Sequence, residues 1–357
     1  MSNNSENRKH KVNSRVLSFG FITVVAIGLL IYLFASGDAS YIGNAFVRPR
    51  ALWLVFGALL IVASWFLEAF ILQYMSKGQA HPMRYMVALR STMVVQFFNN
   101  VTPFASGGQP MQIWSLWRDG IPVGESTSIQ IGKFAIYQSV LTLTSLLSIL
   151  IAFDTLKEQI GAWTSIIVIG FIVNISVLLF VVMLIVKPKA MRGIIRIIRK
   201  LVAHTRLRER TAPLFQKADV ELDHFEIASS SLVARPRVIL ISALLTFFQL
   251  VLAFMAPFCV MNALGMHPGF IFSLAGASFI LMVSGVVPLP GASGGAEAAF
   301  ALVFGSYFNE AGVAVMAAVV LWRAMTYYLP ILVGAPFCVG APKDKDGNTT
   351  AAENETP

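Results

Sequence analysis

Asn99-Asn100-Val101-Thr102-Pro103-Phe104-Ala105-Ser106-Gly107-Gly108-Gln109-Pro110 and Val287-Pro288-Leu289-Pro290-Gly291-Ala292-Ser293-Gly294-Gly295-Ala296-Glu297 share the tetrapeptide Ala-Ser-Gly-Gly, each copy soon after a proline and flanked by long apolar segments. Proline and glycine both interrupt helices, proline by removing a backbone donor and glycine by its conformational freedom. Inside a bilayer a broken backbone is tolerated only where protein or a watery cavity covers its free N–H and C=O groups. Two such breaks in corresponding places point to a site near the midplane of a transporter-like fold. The residues downstream of each copy strengthen the match. Lys133 and Tyr137 come after the first at i, i+4 spacing, Arg323 and Tyr327 come after the second at the same spacing, and both cations stand in apolar helical segments. The pattern predicts a pseudo-repeat over residues 51–153 and 237–339, joined by a basic connector at 187–236. Pro103, Gly107, Gly108, Pro288, Gly291, Gly294 and Gly295 are the expected cavity-shaping positions.

Composition sets the class. With 56% hydrophobic and 13% charged residues and a mean hydropathy of +0.71, the chain is not a soluble globular domain. The expected fold is an all-α polytopic membrane protein. Runs long enough to span a ~30 Å hydrocarbon core at ~1.5 Å per residue lie at Val16–Ser36, Ala51–Tyr74, Ile129–Phe153, Trp163–Val186, Val238–Leu264 and Gly312–Val339. Met86–Phe104 and Phe270–Leu289 run into the Gly/Pro motifs and read as broken or re-entrant helices, giving about six to eight crossings. The stretch after Arg8, Lys9, Lys11 and Arg15 exceeds a signal-peptide core and reads as an uncleaved first helix.

Basic residues orient the chain. They crowd the tail 1–15, the Ser76–Arg90 loop and the connector, which together predict cytoplasmic segments and both termini inside a bacterial cytoplasmic membrane. Arg48 and Arg50 in the short first loop run against this rule. If the first break enters from the cytoplasm and the second from outside, the two repeats are inverted. Within the connector, Met191, Ile194, Ile195, Ile198, Leu201 and Val202 recur at helical spacing with Arg192, Arg196, Arg199 and Lys200 on other faces. That is an interfacial amphipathic helix, read either as a surface anchor between the halves or as a contact for anionic lipid. A pI near 9.7 comes from these segments and calls for no nucleic acid. The segment 341–357 is polar and has the composition of a disordered tail. Cys259 and Cys338 read as packing residues, and the five scattered histidines form no ligand cluster. Neither metal nor cofactor is expected.

A charge within a transmembrane helix costs about 2.5–3.5 kcal/mol on insertion scales and asks for a partner or a task. Four residues raise that question: Glu68, Lys133, Glu297 and Arg323. Arg323 lies deepest in its apolar stretch. Glu297 opens a helix, where it either pairs with Arg323 across a cavity or serves the helix dipole. Lys133 either faces the cavity or snorkels to an edge. Glu68 stands about two turns from the cytoplasmic end of its helix. The polar run Gln96, Asn99, Asn100, Thr102, Ser106, Gln109 and Gln112 either lines a cavity or hydrogen-bonds the broken backbone. A helix N-terminus after Gly-Gly offers N–H groups to an anion such as phosphate, and Arg323 and Lys133 would neutralise it. The candidate binding set is Arg323, Glu297, Lys133, Glu68, Gln109 and Asn100.

Phe98-Asn99-Asn100-Val101-Thr102-Pro103-Phe104 leading to Gly107-Gly108-Gln109-Pro110, Pro288–Gly291 leading to Gly294-Gly295-Ala296-Glu297, and then Trp322-Arg323, Pro330 and Gly334 resemble the flippase-like membrane domain of bacterial lysylphosphatidylglycerol synthases and its stand-alone relatives. The resemblance covers residues 16–340. It implies paired re-entrant elements and movement of lipid between leaflets, a route to cationic-peptide resistance in the full synthases. In those proteins a separate soluble domain transfers lysine from lysyl-tRNA to phosphatidylglycerol. No such domain is expected here, so the expected activity is translocation of a phosphate-bearing phospholipid without covalent chemistry. Two alternatives stay open from sequence: a phosphatidylglycerol lysyltransferase or the membrane subunit of a separate lipid-modifying synthase, and a small-solute or ion transporter.

Overall fold

A computed structural model describes residues 51–338 apart from 162–163, 188–191, 194, 198–199, 201–207, 286, 288 and 312–314. The predicted first helix Val16–Ser36, both tails, and most of the amphipathic stretch (Met191, Ile194, Ile198, Leu201 and Val202) lie outside the described residues, as does Pro288.

Helices follow one another as α1 Leu52–Ser76, α2 Tyr85–Val101, α3 Gly108–Arg118, α4 Val123–Ile151, α5 Phe153–Ile160, α6 Thr164–Val186, α7 Arg208–Val233, α8 Pro236–Ala263, α9 Phe270–Ser284, α10 Gly295–Ala311, α11 Val315–Arg323, a π-helical turn Ala324–Tyr328, and α12 Leu329–Cys338. Among the described residues the only β feature is an isolated antiparallel bridge between Pro103 and Pro290. Five segments are long and apolar enough to cross a membrane: α1, α4, Ile167–Val186 within α6, α8, and the continuous run Val315–Cys338. They match five of the six long spans expected from hydropathy, and the sixth is the undescribed Val16–Ser36. The chain is an all-α polytopic membrane protein.

Each Gly/Pro motif turns a helical hairpin back on itself. Pro103 disfavours helical geometry in the residue before it, and Thr102 is extended at φ −110°, ψ 147°, ending α2. Phe104 and Ala105 then adopt φ 54° and 50°, and Gly291 and Ala292 repeat this with 59° and 54°. The hydrogen bonds repeat too. Ala105 and Ala292 donate their N–H to Thr102 O and Leu289 O, and Ser106 and Ser293 donate theirs to Pro103 O and Pro290 O. Both serine hydroxyls also donate to those proline carbonyls at 2.8 Å. The short identity therefore encodes one turn used twice.

The hairpins enter from opposite ends of the bundle, and their tips meet at the Pro103–Pro290 bridge. Hairpin α2–α3 lies between the last turn of α1 and the first of α4. That end is tied by Glu125, which accepts the His81 N–H at 3.0 Å and meets its Nδ1 at 2.7 Å, by Glu221, which accepts the Gly124 N–H at 2.6 Å, and by Arg235, which donates to Lys77 O at 2.9 Å and to Gly78 O. Hairpin α9–α10 lies between the last turn of α8 and the first of α11, and at that end Ser306 of α10 donates to Gln159 of α5 at 2.5 Å. Connector helix α7 packs along α4, with the Ser128 and Ser229 hydroxyls 3.0 Å apart. Glu226 and Asp223 of α7, beside Arg192, hold its guanidinium above its ordinary value.

Packing carries the same two-fold relation. The first helices of the two halves, α1 and α8, run together, close enough at Gly57 that an added Cβ would stand 2.9 Å from Cys259 Cβ. Entering helix α2 packs against α12 of the other half, and α9 packs against α4. Each hairpin is thus held by the long closing helix of the opposite repeat. The largest buried cluster, around Phe279, Phe300, Phe304 and Trp322, fixes α10 against α9 and α11. The π turn has a local cause: Pro330 has no N–H for Thr326 O, which disrupts the i→i−4 ladder, and the Leu329 N–H reaches back to Ala324 O instead.

Candidate functional site

Beneath the joined tips lies a cavity of about 600 Å³. Its walls come from matching positions of the two halves. Ile61, Ser64, Trp65 and Glu68 of α1 are mirrored by Leu250, Ala253, Phe254 and Pro257 of α8, at i, i+3, i+4, i+7 in both helices. Val95, Gln96, Asn99 and Asn100 of α2 are mirrored by Ile280, Leu281, Ser284 and Gly285 of the second hairpin. The shape is two-fold but the chemistry is not. The first-repeat wall is largely polar, with Glu68, Gln96, Asn99, Asn100, Gln109, Gln130 and Lys133, whereas the α8–α9 wall is largely apolar.

Lys133 is buried on α4, and its Nζ donates to Glu68 Oε1 at 2.7 Å and to Gln112 Oε1 at 3.1 Å. Glu68 Oε2 accepts from Gln96 Nε2 at 2.8 Å. The side chains of Lys133 and Glu68 are 10% and 11% exposed, so the lysine does not snorkel to an edge but pairs across helices. Arg323 is 9% exposed; its Nε donates to Glu297 Oε1 at 2.8 Å and its Nη1 to Gly291 O at 2.9 Å. The guanidinium lies 4.8 Å from the Trp322 ring centroid and 5.5 Å from that of Tyr327. Glu297 serves both roles its sequence position allowed, because its Oε2 also accepts the Gly294 N–H at 2.7 Å. A carboxylate at a helix N-terminus is thereby fixed against a buried arginine.

Of the expected binding residues, Arg323, Lys133, Glu68, Gln109 and Asn100 line the cavity, and Glu297 stands behind Arg323. The polar run both lines the cavity and satisfies the broken backbone. Gln96, Asn99, Asn100, Ser106 and Gln109 face the cavity, while Thr102 Oγ1 accepts the Gly107 N–H at 2.9 Å and donates to Phe98 O at 2.6 Å. Asn100 Nδ2 also donates to Gln96 O at 2.8 Å. Among the expected cavity-shaping residues, Gly291 contributes to the wall, and Pro103 joins the tips. Gly107, Gly108, Gly294 and Gly295 lie in the turns and first helical residues rather than among the lining residues. One glycine is dictated by contact: a Cβ on Gly291, already at φ +59°, would sit 2.1 Å from the Tyr327 ring.

The structure adds Gln130, Phe134 and Tyr137 on α4, with Gln249, Phe254 and Pro257 on α8. Gln130, Lys133, Phe134 and Tyr137 recur at i, i+3, i+4, i+7, so extending the Lys133–Tyr137 spacing by one turn finds the α4 face. Four buried polar atoms around the site have no hydrogen-bond partner among the described residues: Arg323 Nη2, Asn99 Oδ1, Gln112 Nε2 and Gln130 Oε1. The described residues hold no His/Cys/Asp/Glu group suited to a metal.

Opposed hairpins meeting over a cavity with buried ion pairs define a polytopic membrane protein of the re-entrant-hairpin class, with its polar site inside the bundle. Residues 17–334 match the lysylphosphatidylglycerol synthase TM region, and the chain belongs to that family. It is also similar to a UPF0104 membrane protein of Archaeoglobus fulgidus, 27% identical over 325 residues that cover 88% of this chain and 94% of the relative. No solved structure matches it.

Proposed function

We propose that this protein moves a phosphate-bearing membrane lipid between bilayer leaflets, with the cavity beneath the joined hairpin tips holding the headgroup. The observation that carries the reading is the unequal pair of walls. The first repeat contributes Glu68, Gln96, Asn99, Asn100, Gln109, Gln130 and Lys133, whereas α8 and α9 contribute mainly Leu250, Ala253, Phe254, Pro257, Ala277, Ile280 and Leu281. An inorganic ion gains nothing from an apolar wall, whereas an amphiphile uses both. Arg323 supplies the anion contact, since it lines the cavity and a guanidinium binds phosphate oxygens in a fixed planar fork. Entry from opposite ends gives each hairpin access to one leaflet, and their contact at Pro103–Pro290 supplies the element that would have to part and re-form.

The test is a leaflet-exposure assay in proteoliposomes with acyl-labelled phosphatidylglycerol, its lysyl ester and phosphatidylcholine, each followed by albumin extraction. Protein-dependent translocation that falls at least tenfold in Arg323→Ala, with the variant eluting as a folded monodisperse species, is the expected result. Equal rates in protein-containing and protein-free vesicles for all three lipids would sink the reading.

A further inference from the structure

We infer that an anionic headgroup enters this cavity together with a proton, taken up by Glu297. This rests on the translocation reading and adds the ion that moves with the lipid. Among the described residues the cavity is lined by Lys133, Arg323 and Glu68 and no other charged side chain, and the fourth charge, Glu297, is bonded to Arg323. Two cations and two carboxylates sum to zero. A phosphodiester headgroup brings one negative charge, so its arrival would leave an uncompensated anion inside the membrane region, the situation that buried charges avoid by pairing or neutralising.

Of the two carboxylates, Glu297 is placed to take the proton. Its side chain is 21% exposed against 11% for Glu68, and its hydrogen bonds allow an exchange that conserves them. Protonation of Oε1 breaks the contact with Arg323 Nε. The carboxyl keeps the Gly294 N–H on Oε2. Arg323 Nε–H, released, joins the unpartnered Nη2 in a two-point contact with the phosphate oxygens. Departure of the lipid reverses each step and returns the proton to water. Glu68 is likewise held on both oxygens, by Lys133 and Gln96, and is the more buried of the two carboxylates.

Among the described residues, the charged and titratable groups that face Glu297 are Arg323 of α11 and Tyr327 of the π turn. Helix α9 carries no titratable side chain. Helix α5, with Asp154, Lys157 and Glu158, meets α10 more than two turns farther along, at Ser306. Proton uptake at Glu297 therefore responds to the Arg323 contact and to what replaces it. A headgroup without net charge needs no proton, which separates this scheme from a general effect of pH on the protein.

The experiment uses the full chain in vesicles with a trapped pH dye, following acyl-labelled phosphatidylglycerol or phosphatidylcholine by albumin extraction from pH 5 to 8. The expected result is about one proton moved per phosphatidylglycerol and none with phosphatidylcholine. Glu297→Gln should abolish the proton signal. Phosphatidylglycerol translocation by the wild type without proton movement would overturn the coupling and leave the translocase reading intact. Translocation of neither lipid would remove both. The wild-type stoichiometry decides whether a proton moves with the lipid even if Glu297→Gln fails to fold.

Discussion

Replacing Lys133 with methionine should destabilise the protein far more than its lost contacts suggest, and replacing Glu68 with glutamine in the same chain should restore most of the loss. The Lys133–Glu68 contact is 2.7 Å with both side chains about nine-tenths buried. At an effective dielectric of about 20 the gross attraction at that distance is roughly 6 kcal/mol, but most of it offsets the desolvation of the two ions. Removing Lys133 leaves a carboxylate held only by Gln96 Nε2, and breaking a buried pair on one side costs about 3–5 kcal/mol. In the double variant the carboxylate is gone, Gln96 and a glutamine at 68 can bond to each other, and the net change should fall to about 1 kcal/mol or less. The assay is denaturant titration of wild type, both single variants and the double variant in one mild detergent, read as a double-mutant cycle. A coupling energy indistinguishable from zero would refute this account, because it would mean the two groups are solvated separately.

Other consequences of the structure can be checked one by one. Gly291→Ala forces a Cβ to within 2.1 Å of the Tyr327 ring at φ +59°. It should cost at least about 1–2 kcal/mol from the backbone alone, and Tyr327→Ala in the same chain should recover the steric part in a melting assay. Pro103→Cys with Pro290→Cys, in a chain with Cys259→Ala and Cys338→Ala, should cross-link under mild oxidation and arrest translocation until reduced, whereas unlinked cysteines would mean that the tips do not meet as the Pro103–Pro290 bridge has them. Pro330→Ala restores the missing N–H and should let the π turn at Ala324–Tyr328 relax to α-helix. That rotates Arg323 relative to Tyr327 and should lower translocation several-fold while leaving stability within about 1 kcal/mol; unchanged transport would show that the π turn is incidental. Together with proton uptake at Glu297, these address the turn, the tips, the closing helix and the charges separately.

Much of the architecture was legible because bilayer solvation imposes simple rules. Long apolar runs predicted α1, α4, α6, α8 and the Val315–Cys338 span, and the two Gly/Pro motifs predicted the hairpins, since glycine and proline act through backbone geometry that is local in sequence. The Arg323–Glu297 pair was within reach because Glu297 begins a helix just after the motif. The partner of Lys133 was not, because Glu68 is 65 residues away on another helix and nothing local links them. Nor was the π turn: Pro330 was visible, but whether a helix answers a proline by kinking, ending or widening depends on its packing neighbours. The apolar α8–α9 wall was hidden for a different reason, since in a membrane protein cavity-facing and lipid-facing apolar residues look alike in sequence.

The two halves meet the same electrostatic need by different means. Both place a cation on the closing helix, i, i+4 from a tyrosine, as Lys133–Tyr137 and Arg323–Tyr327. In the second half the counter-charge is Glu297, two residues after Gly295, whereas the position two residues after Gly108 is Pro110, which cannot pair. The first half takes its carboxylate from α1, at Glu68, and the matching position on α8 is Pro257. One carboxylate therefore belongs to a hairpin tip, while the other belongs to a helix of the central α1–α8 pair. If the hairpins part to admit a headgroup, the Arg323 pair is disturbed and the Lys133 pair stays. Under the proposed translocation, such a cavity would keep its polarity throughout and change its charge at a single place, the tip residue Glu297.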